Sequence, residues 1–194
     1  AINVMIGLFV LSFTLPSLLL FIINYKKIPA IQKEENINSR EFWMFIGSLV
    51  FFLTALFIIA KTSVPVYNKI FGTKIASPEE VEFSYNKVMV LVAIIIGLLT
   101  AVSQYLKYKS TATTVILKKI ALPTLVASVI TTLLAIFYPI TFYKHGAGFL
   151  GAIYVALFAT IYSFIANAFY IWFGLKGNLK NAGAAIAHAG FALM

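Results

Sequence analysis

The sequence contains no cysteine, which excludes disulfides, thiolate nucleophiles and iron–sulfur ligation by its own side chains. It contains no aspartate either: all six acidic residues are glutamates, and none lies inside an apolar run. Proton pumps and cation-coupled transporters usually carry a carboxylate within the membrane, so that chemistry lacks its customary group here. Charged residues of both signs make up only 11% of the chain, against about 25% in soluble domains. No phosphate-binding loop, nucleophile–base pair or two-histidine metal spacing occurs, and hydrolytic chemistry has no visible machinery.

What is present is hydrocarbon. Hydrophobic residues form 61% of the 194 residues, with a mean hydropathy of +0.96. Several apolar runs approach the ~20 residues that cross a bilayer as a helix, and the alternating pattern of a membrane barrel is missing. The expected fold is all-α, a polytopic transmembrane bundle of about six spans. The spans read as Ile2 to Ile23, Phe42 to Ala60, Val88 to Leu106, Ile120 to Ile140 and Phe149 to Phe173, with a sixth starting near Asn181. Pro16 interrupts the first, a defect that membrane helices tolerate. Pro123 falls in the first turn of the fourth, where a missing N–H costs little. The chain opens on Ala1 without a Met start, and its last run is still apolar at Met194. We therefore expect an internal piece of a longer membrane protein, built as one membrane unit.

A net charge of +9 suggests nucleic acid in a soluble domain, but here the basic residues sit between apolar runs and orient loops. Segments 25–40, 107–119 and 174–180 hold ten of the fifteen Lys and Arg, and segments 61–87 and 141–148 the other five. The richer set is expected in the cytoplasm, so the sixth span starts from that side. Segment 61–87 is polar enough to lie outside the bilayer and is expected to carry a short interfacial helix near Val66 to Phe71.

His188, within GAAIAHAGFALM (183–194), is the sharpest feature. Eight residues beyond Lys180 place it ~12 Å along the last span, and an ionisable group at that depth is a functional-site candidate by default. Helical spacing puts Asn181, Ala184, Ala185, Phe191 and Ala192 on its face. The alanines leave room for a flat group, and a neutral imidazole can ligate haem iron. Gly183, Ala187 and Gly190 equally make a small-residue packing seam, across which His188 could hydrogen-bond. Three readings stand on the residues alone: packing or hydrogen bonding, haem ligation, and a proton or ion relay.

His145, the only other histidine, falls in the turn on the opposite side of the membrane and is expected to be an interfacial loop residue. About a bilayer's thickness separates it from the end at which the last span begins, so the two should not share a metal. Asn167 lies mid-membrane among Tyr154, Tyr162 and Tyr170, where it could support a cofactor edge or tie helices together, and the structural tie is the expectation. Gln104 and Tyr105 suit the amphipathic end of the third span. Ser39 suits a helix N-cap, Glu41 the positive end of that helix, and Arg40 a snorkelling anchor.

The order of Ser39-Arg40-Glu41 opening one span, Tyr85-Asn86 at the outer edge of the next, and AHAGFALM (187–194) entering a later one resembles the C-terminal half of CcmF-type cytochrome c haem lyases, of the CcmF/CcsA haem-handling family. That family presents haem through a tryptophan-rich WWD segment flanked by histidines and holds a b-type haem between two membrane histidines. The resemblance implies cytochrome c biogenesis in the bacterial inner membrane, with apocytochrome c and other maturation membrane proteins as partners. It makes His188 an axial ligand of haem b, with Ala184, Ala185, Phe191 and Ala192 beside the cofactor and the second ligand outside this chain. The WWD segment is absent from these residues, so this stretch alone is not expected to catalyse haem attachment. The rival classes are a transporter or channel bundle and a structural subunit of a respiratory complex.

Overall fold

A backbone in hydrocarbon has to satisfy its own N–H and C=O groups, and each apolar run folds as a helix. The structure, a computed structural model, describes residues 2–28, 36–141 and 144–194, and of residues 2–4, 6 and 7 the backbone only. Residues 29–35, with Lys33, lie outside the description. Among the described residues there are seven α-helices and no strand. Five of the helices are long and apolar enough to cross a membrane, so the chain is a multi-pass membrane protein.

The chain divides into two compact units, Ala1–Glu34 and Glu35–Met194. The first contains α1 (Ile2–Asn24), which runs through Pro16 and closes on a 3₁₀ turn, Tyr25–Lys27. The second contains α2 (Arg40–Thr62), α3 (Val64–Phe71), α4 (Val81–Ser103), α5 (Thr113–Phe137), α6 (Gly146–Phe169) and α7 (Gly183–Ala192). α6 is extended by a π turn, Tyr170–Gly174. The expected interfacial helix is α3, stopped by Gly72 in the left-handed region at φ 64°. The expected sixth span is represented by the ten-residue α7.

Two boundaries differ from the hydropathy reading. α4 begins at Val81, seven residues ahead of Val88, so Glu82 and Lys87 of the polar segment 61–87 already lie on the helix. α5 begins at Thr113, seven residues ahead of Ile120, so Lys118 and Lys119 lie on the helix and not in the preceding loop. Lysine is a good helix former whose stem packs along apolar surface while its ammonium stays wet. Hydropathy therefore stops where the helix does not. Pro123 is consequently interior to α5, and buried.

The centre of the second unit is the contact of α4 with α6. A Cβ added to Gly97 on α4 would lie 3.1 Å from both Cβ and O of Ala159, so the helices approach closely only because Gly97 has no side chain. Ala101, Ala127 and Ala166 are fully buried beside Tyr105 and Tyr162, as expected where small residues let membrane helices pack. Polar ties cross the same contact. Thr100 Oγ1 lies 2.9 Å from Ser163 Oγ, and Asn167 Nδ2 donates across the contact to Thr100 O at 3.1 Å and, within α6, to Ser163 O at 2.8 Å.

Candidate functional site

Polar side chains gather at the two ends of α4. At its C-terminal end the chain leaves the helix through Gln104, Tyr105 and Leu106, all buried. Arg40 closes this end: its Nε donates to Ser103 O at 3.2 Å and its Nη2 to Gln104 O at 3.0 Å. The last carbonyls of a helix have no internal partner and carry its negative pole, so a guanidinium suits them. Arg40 is thus more than the snorkelling anchor expected from sequence. Around it, Arg40 N donates to Lys107 O and Thr111 N to Asn38 O, each at 2.9 Å. Ser39, 1% exposed, caps α2 as expected by accepting from Phe42 N. From the other side, Tyr105 donates to Ala166 O at 2.6 Å.

That clamp fixes Gln104, and Gln104 meets His188: its amide Nε2 lies 3.0 Å from His188 Nδ1. The two residues are 84 positions apart and come together because α7 packs on α6 and touches α4. In this orientation the amide donates, Nδ1 accepts, and the imidazole proton is on Nε2. Rotating the amide by half a turn offers Oε1 at the same place, which accepts from Nδ1–H and leaves a lone pair on Nε2. Only the second arrangement can ligate a metal through Nε2. His188 is half-buried in the wall of an open cleft of about 220 Å³, shared with Trp43, Gly47 and Ser48 of α2 and Leu99, Thr100 and Ser103 of α4.

The residues expected around His188 are divided by the packing. Ala185 is 1% exposed and lies against Ala182 and Ile171. Ala184 and Asn181 are exposed, Ala192 is half-buried and Phe191 is 53% exposed. The open surface beside the imidazole therefore involves Ala184 and not Ala185. Gly183 and Gly190 have nothing within 4 Å of an added Cβ, so the small-residue seam expected on α7 makes no close helix contact among the described residues.

The other end of α4 holds His145, which precedes the first residue of α6. Its ring stacks on Phe83 at 3.5 Å between centroids, and its Nε2 lies 3.3 Å from Glu80 Oε2. Lys144 Nζ sits 2.9 Å from the other Glu80 oxygen, and that bond holds the Glu80 carboxyl below its ordinary pKa. On the same side, Lys61 Nζ donates to Ser84 Oγ. The helix from Phe83 to Gln104 is about 32 Å long at 1.5 Å per residue. His145 and His188 therefore do not meet, and no cluster of three potential metal ligands occurs among the described residues.

Asn167 is the structural tie expected of it, although its Oδ1 is buried without a partner. Sequence reasoning missed the pairing of Gln104 with His188 and the grip of Arg40 on α4. A usable signal existed in the amide itself, since a glutamine buried at a membrane edge needs a partner. Comparison with known proteins adds no assignment: no family model, no curated protein and no solved structure matches the chain.

Proposed function

We propose that the chain is part of a membrane haem-handling protein of cytochrome c biogenesis, similar to CcmF-type haem lyases, and that His188 supplies one axial ligand to a b-type haem. The observation that carries this reading is the contact of Gln104 with His188 Nδ1 at 3.0 Å. A ligating imidazole needs its second nitrogen hydrogen-bonded so that tautomer and ring plane are fixed, and the clamped Gln104 does this once its Oε1 faces Nδ1. The cleft beside His188, about 220 Å³, is smaller than the ~300–1,000 Å³ of enclosed ligand pockets. It is a wall for a ligand and not a container, which suits residues forming one side of a haem site.

When bound, haem b supplies one-electron chemistry. The chain's own residues orient the imidazole through Gln104, hold Gln104 through Arg40 and Tyr105, and keep charged side chains out of the lining of the cleft. In the resembling family such a haem serves the attachment of haem to apocytochrome c, and the same partners follow for this chain. The transport reading needs His188 and Asn167 to line a polar path, but the Asn167 amide is used in bonds to Thr100 O on α4 and to Ser163 O within α6.

The test is the absorption spectrum of the purified protein, reduced minus oxidised. His188→Ala should remove the b-type bands, and His188→Gly should recover them when imidazole is added. Gln104→Leu should retain haem with a shifted midpoint potential and about 10–100-fold weaker binding. An undiminished b-type spectrum in His188→Ala would remove the ligand assignment.

A further inference from the structure

Two cavities adjoin at the end of the second unit where α4 closes. The first, of about 670 Å³, is walled by Arg40, Lys107, Lys118 and Lys119 together with Tyr105 and Tyr170, and no carboxylate lines it. The second, of about 520 Å³, runs between α6 and α7 and is lined by Phe164, Trp172, Ile186, Leu193 and other apolar residues, with no charged side chain. Phe169 and Phe173 belong to both walls.

The π turn makes this junction. Leu175 N donates to Tyr170 O at 2.9 Å, five residues back, and the wider turn sends Tyr170 and Gly174 to the basic cavity while Ile171 and Trp172 face the apolar one. A Cβ on Gly174 would lie 3.0 Å from the Tyr170 ring, so a side chain at this place would press the ring aside by a few tenths of an ångström. Single π turns inside α-helices are frequent at functional sites.

The cations of the first cavity are not all spent on the fold. Arg40 is committed to two carbonyls, but among the described residues no ion pair engages Lys107, Lys118 or Lys119. Glu41, on the neighbouring segment, accepts from Tyr108 at 3.0 Å and lies outside the lining. Three lysines lining one cavity beside a purely apolar groove call for one molecule with an anionic head and a hydrocarbon tail.

We propose that the joined cavities bind an anionic phospholipid, its phosphate at Lys107, Lys118 and Lys119 and an acyl chain along Phe169, Trp172 and Ile186. The dimensions agree. From Phe164 to Phe173 the α6 wall is about 14 Å long, half of a ~30 Å hydrocarbon core and hence one leaflet deep. Lys118 and Lys119 are the sixth and seventh residues of α5, at the depth where lysines snorkel to headgroups. A soluble phosphate has the same head chemistry but leaves the apolar groove unused.

Trp172 is a built-in reporter, since the chain has only two tryptophans and it lines the groove. In Trp43→Phe protein reconstituted in phosphatidylcholine vesicles with a minor fraction of phosphatidylglycerol, bromine is placed on the acyl chains of one lipid or the other. Trp172 quenching is then taken relative to unbrominated lipid. Brominated phosphatidylglycerol is expected to quench at a lower mole fraction, with affinity falling about fivefold for each lysine removed in Lys118→Gln and Lys119→Gln. Lys69→Gln with Lys74→Gln, which removes equal charge from segment 61–87, should leave the preference intact. Equal quenching by the two lipids overturns the proposal. So does a preference that survives loss of Lys118 and Lys119, or that falls equally in the Lys69 and Lys74 variant. Abolition by excess soluble glycerol phosphate would assign the head site to free phosphate and overturn the lipid.

Discussion

Gly97→Ala measures how far the contact between α4 and α6 depends on one missing methyl group. The added Cβ would stand 3.1 Å from the Ala159 Cβ, 3.1 Å from its carbonyl oxygen and 3.2 Å from its carbonyl carbon, whereas favourable carbon contacts begin near ~3.5 Å. Two of those three atoms are α6 backbone, so no rotamer change relieves the overlap and the helices must part by a few tenths of an ångström. Overpacking of this kind costs about 1–3 kcal/mol. Alanine's better helix propensity returns about 0.8–1.0 kcal/mol. Parting the helices also stretches the Thr100–Ser163 and Asn167–Thr100 bonds, now 2.9 and 3.1 Å, and such interhelical bonds average ~0.6 kcal/mol each. The net expectation is a loss of about 1–2 kcal/mol. Gly151→Ala on α6, where nothing lies within 4 Å of the new Cβ, is the control and should gain up to about 1 kcal/mol. The assay is SDS titration of the detergent-solubilised protein followed by circular dichroism. Opposite shifts of the two midpoints are expected; shifts of the same sign and size would refute the close-contact reasoning.

Two further predictions concern polar groups. Lys144 holds the Glu80 carboxyl below its ordinary value of 4.5, so the pair contributes stability above that pH and loses it as pH falls through the lower, folded-state value. Thermal midpoints taken from neutral pH into the acid range should show this loss, modest and salt-sensitive because the pair is exposed; Glu80→Gln should remove that contribution and Lys144→Gln diminish it, and unchanged acid sensitivity in both would contradict it. Asn167→Leu gives up one interhelical bond, to Thr100 O, worth ~0.6 kcal/mol, and one within α6, to Ser163 O, but also removes the unpartnered Oδ1, whose burial costs about 1–3 kcal/mol, so it should be near neutral. Asn167→Asp turns a carboxyl oxygen toward the carbonyls of Thr100 and Ser163 and should cost about 2 kcal/mol or more. The same SDS titration separates them, and equal losses would show that the Oδ1 burial carries no penalty.

The course of the chain through the membrane was readable because hydropathy acts residue by residue. α1, α2 and α6 start and stop within a few residues of their apolar runs, and Ser39 announced the start of α2 because an N-cap is a local matter between a side chain and an amide three positions on. α5 was misjudged for the converse reason. Hydropathy sees Lys118 and Lys119 as an edge, while helix ends are set by backbone bonding, which those lysines leave intact. This displacement bears on the proposed lipid site, because it puts two cations on a helix wall instead of in a loop.

Tertiary adjacency was the part that local reasoning could not reach. Gly183, Ala187 and Gly190 looked like a packing seam, yet nothing approaches Gly183 or Gly190. The tight crossing uses Gly97 and Ala101 against Ala159, Ser163 and Ala166. A small residue permits close approach only when the facing helix is small at the same height, and a single run of sequence does not state which helix faces it. His188 follows the same logic. Its place on the last helix was readable from the sequence, but its bond to Gln104 depends on α7 lying against α6 and on Arg40 and Tyr105 fixing the end of α4. A histidine beside a freely rotating amide would sample both tautomers. The clamp holds the backbone at Gln104, and the chemistry of His188 turns on which way round the Gln104 amide stands.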